Sequence, residues 1–216
     1  MNESASIKTW HQETVLVELS AKLSKRGFNP VIINTLEAIK DFITKIIPPD
    51  ATVGLGGSVT LRETGIDALL KSRGNTVFDH WEDGKSPDES LAVRKKQLTT
   101  DYFLTSSNAV TLDGRLVNID GAGNRVAAMI FGPKHVVALV GYNKIASGME
   151  EAIWRAKNIA SAKNCKRLGL STPCAKTGFC MDCKLPLSIC RVTTIIEYRP
   201  MLTDFTIILT PLELGY

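Results

Sequence analysis

The chain has 216 residues, 44% of them hydrophobic, with a formal net charge of +4 and five cysteines. That length suits one large domain with a full core, and aromatics at 6% that do not alternate with the basic residues leave nucleic-acid binding without support. No apolar run approaches the roughly 18 residues needed to span a bilayer, and the polar start MNESASIKTWHQETV is not a secretory signal. A soluble cytoplasmic protein is therefore expected, in a compartment where thiols stay reduced.

In chain order, Trp10, Leu16, Leu19 and Leu23 recur at helical spacing over 8–26, and Gly27 supplies a stop. A short strand at 31–33 precedes a helix over 36–47 that ends at Pro48-Pro49. Strand 52–55 runs into Gly56-Gly57-Ser58, and one helix is expected from there to about Ser72. Strand 76–78, helix 86–98 and strand 102–104 follow. Asp113-Gly114 between two β-rich runs predicts a tight hairpin. After it come a short helix at 124–130, a strand at 135–140, a helix at 148–162, and two closing strands at 194–198 and 206–210. Strands alternating with helices predict an α/β fold: a Rossmann-like, mainly parallel sheet flanked by helices, with a β-hairpin region and a cysteine-rich loop. The chain reads as a single domain over 1–216, with that loop as an insertion at about 172–191.

Two glycine turns carry the first functional signal. Gly54-Leu-Gly56-Gly57-Ser58 joins a strand to a helix, where glycines admit a ligand close to the backbone and Ser58 and Thr60 add hydroxyl donors. No lysine follows, so it is not a phosphate loop. Val59 stands where a dinucleotide fingerprint would have its last glycine, so NAD is not expected even with Asp79 at the next strand end. Thr60-x-x-Glu63 reads as a capping box, and Glu63 is equally a candidate catalytic acid. In the second turn Asn118 and Asp120 share a strand face and lead into Gly121, Gly123, Asn124 and Arg125. Arg125 opens a helix, which disfavours a cation unless an acid or an anion lies beside it; the alternative is that Asn118 and Asp120 only cap the turn. Both turns lie at carboxyl ends of strands, so one crevice is expected to hold both around a small anionic substrate. His11, His80 and His135 show no ligand spacing, and His135 reads as a core or edge residue.

Cys174-x5-Cys180-x2-Cys183-x6-Cys190 lies in a segment rich in proline and glycine with no regular period. Four thiolates on a loop suit an iron–sulfur cluster or zinc. Reduced cysteines packed as small hydrophobes are the plain alternative, with Cys165 ordinary or a spare ligand.

Gly54-Leu-Gly-Gly-Ser-Val-Thr-Leu-Arg-Glu-Thr-Gly65, Asn108-Ala-Val-Thr, Val117-Asn-Ile-Asp-Gly-Ala-Gly-Asn-Arg-Val126 and the closing Leu-Glu-Leu-Gly-Tyr216 together resemble the lactate-utilisation (LUD) domain family over nearly the whole chain. The resemblance implies a fold related to sugar-phosphate isomerases, CoA transferases and 5-formyltetrahydrofolate cyclo-ligases. It also implies a part in oxidising lactate to pyruvate alongside iron–sulfur subunits. A strand-end acid handles proton transfer in the related isomerases, which assigns Asp120 as acid/base; no glutamate matches the CoA-transferase nucleophile. The four-cysteine loop looks like a subgroup feature. The expected function is thus a redox-associated protein of lactate (2-hydroxy acid) utilisation carrying its own iron–sulfur cluster, with a homo-oligomer left open. The alternative is a non-redox isomerase or transferase of a phosphorylated or CoA-linked small molecule, with a structural zinc.

Overall fold

The computed structural model describes residues 3–216. A long helix α1 (Glu3–Lys25) leads to β1 (Asn29–Ile32), α2 (Leu36–Ile46) and β2 (Thr52–Leu55). Then come α3 (Val59–Thr64), α4 (Ile66–Ser72), β3 (Thr76–Asp79), α5 (Pro87–Gln97) and β4 (Tyr102–Thr105). The hairpin β5 (Ala109–Thr111) and β6 (Leu116–Asp120) precedes α6 (Asn124–Ile130), β7 (His135–Gly141), a 3-10 turn at Tyr142–Lys144 and β8 (Ile145–Ala146). The chain ends with α7 (Met149–Arg155), a π-helical stretch Ala156–Ser161, α8 (Ala162–Arg167), α9 (Pro173–Thr177), β9 (Val192–Ile196) and β10 (Asp204–Thr210).

Six strands form an all-parallel sheet in the order β1-β10-β7-β4-β2-β3. Both faces of its centre are apolar, as a sheet buried on two sides requires. In β7, Val136, Ala138 and Val140 face α1 and α6, while Val137 and Leu139 face α2, α3 and α4. The period of two puts alternate residues in separate cores. Phe205 at the start of β10 meets Phe28 edge-on at 5.3 Å. The fold is the α/β architecture expected.

Several local expectations change. The helix after β2 is two helices, because Gly65 adopts the left-handed conformation (φ 67°) and ends α3 before α4 begins. Ser58, accepting from the Leu61 amide, is the N-cap of α3, so Thr60 and Glu63 do not form a capping box. The helix expected at 148–162 runs on to Arg167 through the π-helical stretch. The cysteine segment contains the short helix α9, started by Pro173 and stopped at Gly178. The last two strands part company: β10 enters the large sheet beside β7, whereas β9 joins β8, β5 and β6 in a small second sheet. That small sheet packs Ala109, Val117 and Ile119 against Ala152 and Ala156 of the α7 helix. Its other face contributes Val110, Leu116 and Ile196 to the core beneath α1. No helix among the described residues is long and apolar enough to cross a membrane.

Candidate functional site

A cavity of about 290 Å³ opens where several strands end together. Its wall takes Gly56 to Thr60 after β2, His80 and Trp81 after β3, Ser106 to Asn108 after β4, and Lys144 after β7. Asp120, Gly121, Asn124 and Arg125 close it from the end of β6. The two glycine turns therefore meet in one crevice at the carboxyl ends of the strands, the usual ligand position of an open α/β sheet. Asn118, Gly123 and Glu63 stand behind this wall rather than on it. Asn118 is fully buried, Gly123 turns the chain into α6, and Glu63 Oε2 accepts the Gly215 amide at 2.5 Å, tethering the C-terminal segment.

The first turn leaves no room for side chains. A Cβ on Gly56 would sit 2.8 Å from Thr105 Oγ1 and 2.9 Å from the Phe103 ring. Gly57 has φ 64° and would push a Cβ to 2.9 Å from Trp81 Nε1. Helix α3 spans only six residues, so its dipole is weak and charge selection falls to side chains.

Arg125 is the hub of the second turn. Its Nε donates to Asp120 Oδ1 (3.3 Å), Nη1 to Asn118 Oδ1 (2.7 Å) and the Ser106 carbonyl (3.1 Å), and Nη2 to Asn108 Oδ1 (3.0 Å) and the Ile119 carbonyl (2.9 Å). Asp120 Oδ2 also accepts the Val126 amide at 3.1 Å. The acidic partner that a cation needs at a helix start is thus Asp120. With all five donors spent on protein, Arg125 positions the turn and has none left over for a ligand.

Donors that lack acceptors lie elsewhere on the wall. Arg94 Nε and Asn124 Nδ2 are buried without a hydrogen-bond partner. A buried donor left unpaired costs about 1–3 kcal/mol. Gln97 Nε2 donates to the Leu55 (2.8 Å) and Phe78 (3.0 Å) carbonyls and lies 3.0 Å from His80 Nδ1. An amide nitrogen cannot accept, so Nδ1 faces it without a proton and Nε2 carries the proton of the neutral ring. Burial, reinforced by Arg94, lowers the His80 pKa to about 4, so the ring is neutral at neutral pH. Arg167 lies 4.1 Å over the Trp81 ring and donates to the Tyr216 hydroxyl at 2.9 Å, closing one side of the cavity. Asp79, at the end of β3, is buried in an ion pair with Arg62.

Lys144 carried no sequence signal. It is 2% exposed, and Nζ donates to Thr60 Oγ1 (2.7 Å) and Ser106 Oγ (2.9 Å), with no carboxylate in contact. Burial lowers its pKa from 10.5 to about 7, and the nearby Arg155 and Arg125 push in the same direction. Arg155 itself donates to the Asn143 carbonyl at 2.7 Å and to that of Asn108, tying the α7 helix to the ends of β7 and β4. His80, Arg94, Ser106 and Lys144 were all missed from sequence. The polar run after β4 was the one available sign.

The cysteine lobe borders the cavity. Ser161 and Ile189 line the cavity, and Ser161 hydrogen-bonds the Cys190 thiol. All five cysteines are free. Burial pushes the Cys190 thiol up, and Cys180, Cys174 and Cys183 add to the rise. Cys165 packs against Cys174 and is pushed up to about 11, chiefly by burial. Among the described residues no three His, Cys, Asp or Glu side chains stand in metal-ligating geometry.

Two outcomes test this description. Arg125→Met should lower the unfolding free energy by about 3–5 kcal/mol, the usual effect of removing one partner of a buried pair; a urea midpoint unchanged from wild type would contradict the hub. Lys144 binds fewer protons folded than unfolded between pH 7 and 10.5, so its burial cost is full below pH 7 and is relieved as pH rises. The unfolding free energy of Lys144→Met minus that of wild type should therefore fall from pH 7 to 9, and a constant difference would contradict the buried amine.

The comparisons with known proteins agree with this architecture. The LUD domain family profile matches residues 16–210. The fold is similar to the crystal structure of a DUF162 family protein from Deinococcus radiodurans, with TM-score 0.54 and 15% identity over 92% of this chain and 98% of that one. Among curated proteins none matches the chain. With nine-tenths of its length inside the profile, the chain belongs to the LUD domain family, which is associated with lactate utilisation.

Proposed function

We propose that this protein binds a small 2-hydroxy or 2-oxo carboxylate of the lactate–pyruvate class between the two glycine turns, as a redox-associated component of lactate utilisation. The observation that carries the reading is the shared cavity, in which buried donors on Arg94 and Asn124 lack acceptors beside a narrow glycine turn. A carboxylate satisfies them, the Gly57–Ser58 backbone admits it, and neutral His80 donates from Nε2 without adding charge. Asp120 neutralises Arg125 and keeps the turn in place.

The donor chemistry of the adjoining lobe fits an iron–sulfur cluster: four free thiols on one segment largely without helix or strand. Cys174, Cys180, Cys183 and Cys190 are the residues that would hold it, and such a centre supplies one-electron transfer. Iron–sulfur partner subunits would exchange those electrons in the reducing cytoplasm.

A second reading, an isomerase or transferase with a structural zinc, draws on Asp120 at the cavity wall as general base. Both Asp120 oxygens already accept N–H bonds, from Arg125 and the Val126 amide, and are committed to holding the turn. Zinc would make the loop a staple.

Anoxically purified protein should contain iron and acid-labile sulfide, with broad visible absorbance that Cys183→Ser diminishes. Lactate and pyruvate should each raise its melting temperature by mass action. Zinc without sulfide, together with sugar-phosphate turnover abolished by Asp120→Asn, would overturn this reading for the second.

A further inference from the structure

Lys144 is a buried primary amine that the carboxylate site does not require. It follows β7 at the floor of the cavity, where its Nζ reaches only two hydroxyls, Thr60 Oγ1 and Ser106 Oγ. A neutral amine spends both N–H bonds on those oxygens and keeps its lone pair. The hydroxyls are themselves held: Thr60 Oγ1 donates to the Leu214 carbonyl at 3.3 Å, and Ser106 Oγ to that of Ser107 at 3.4 Å. Charged groups that act on Nζ are Arg155 from α7, Arg125 from α6 and, more weakly and in the opposite sense, Glu63 from α3. Two cations against one distant carboxylate in a desolvated pocket is the setting that activates a lysine as a nucleophile.

We propose that Lys144 forms a reversible imine with the carbonyl carbon of a 2-oxo acid bound in the cavity. The inference rests on the reading that the cavity holds small carboxylates of the lactate–pyruvate class. The amine nitrogen adds to C2, and one nitrogen proton passes to the carbonyl oxygen to give a carbinolamine. Loss of water, with the second nitrogen proton leaving through the Thr60 and Ser106 hydroxyls, gives the C=N bond. No electrons enter or leave, and water restores the free amine and the acid. A 2-hydroxy acid has no carbonyl and cannot react, so the step discriminates the oxidised from the reduced member of the pair at one residue.

The test treats the full-length protein with pyruvate and cyanoborohydride, which reduces an imine to a secondary amine, and maps the adduct by peptide mass spectrometry. Labelling at Lys144 should exceed that at the exposed Lys25, Lys95 and Lys163 by on the order of tenfold. It should vanish with lactate in place of pyruvate and be competed by excess lactate. Lys144→Arg should abolish it while urea unfolding reports whether the fold is intact. Uniform labelling of surface lysines overturns the proposal. Absence of adduct while pyruvate still raises the melting temperature removes the imine and leaves the carboxylate site standing; absence of both removes the two together.

Discussion

One guanidinium fixes the geometry on which the site depends. Arg125, at the start of a seven-residue helix, reaches the last turn of the small sheet through Asp120, Asn118 and the Ile119 carbonyl. It reaches the end of the large sheet through the Ser106 carbonyl and Asn108. Two sheets with separate hydrogen-bond ladders are thereby held at one distance across the cavity. An arginine suits the task because its planar fork presents five donors in fixed directions. Buried charge of this kind costs desolvation, and here it is offset by one carboxylate and four neutral acceptors.

What remains for a ligand follows from what Arg125 does not offer. The glycine turn supplies space, since neither Gly56 nor Gly57 tolerates a Cβ, and short α3 supplies little field. In the proposed reading, attraction for an anion comes instead from Arg94, Asn124 and neutral His80 on the cavity lining. The same lining holds Lys144, an amine whose charge is suppressed by its surroundings. Donors and an amine on the lining of one cavity are the two kinds of group that the proposed ligand, a carboxylate next to a carbonyl, requires. The sulfur-rich lobe meets this cavity through Ser161 and Ile189.

The repeating elements were legible in the sequence because their periods are strong. Val136 to Val140 read as a strand from its apolar run, and the Asp113-Gly114 hairpin was marked by its turn residues. The partition of the last strands was not legible. Val192–Ile196 and Asp204–Thr210 are both β-branched, and only the register of β9 against β6 sends one to the small sheet. The glycine turns marked the crevice, since backbone crowding must be written as glycine. Arg125 looked like an anion anchor because sequence shows a cation at a helix start but cannot show that its donors are already used. Lys144 was invisible because nothing about one lysine after a strand distinguishes a solvated ammonium from a buried amine.

The central claim is that the two glycine turns form a single acceptor site for a small carboxylate. A crystal structure of the protein soaked with oxamate, an unreactive isostere of pyruvate, tests it most directly. The account predicts the carboxylate within hydrogen-bond reach of Asn124 Nδ2 and Arg94 Nε, against the Gly57–Ser58 backbone, with the Arg125 contacts unchanged. Oxamate bound outside this cavity, or held by an Arg125 that has released Asp120, would contradict it.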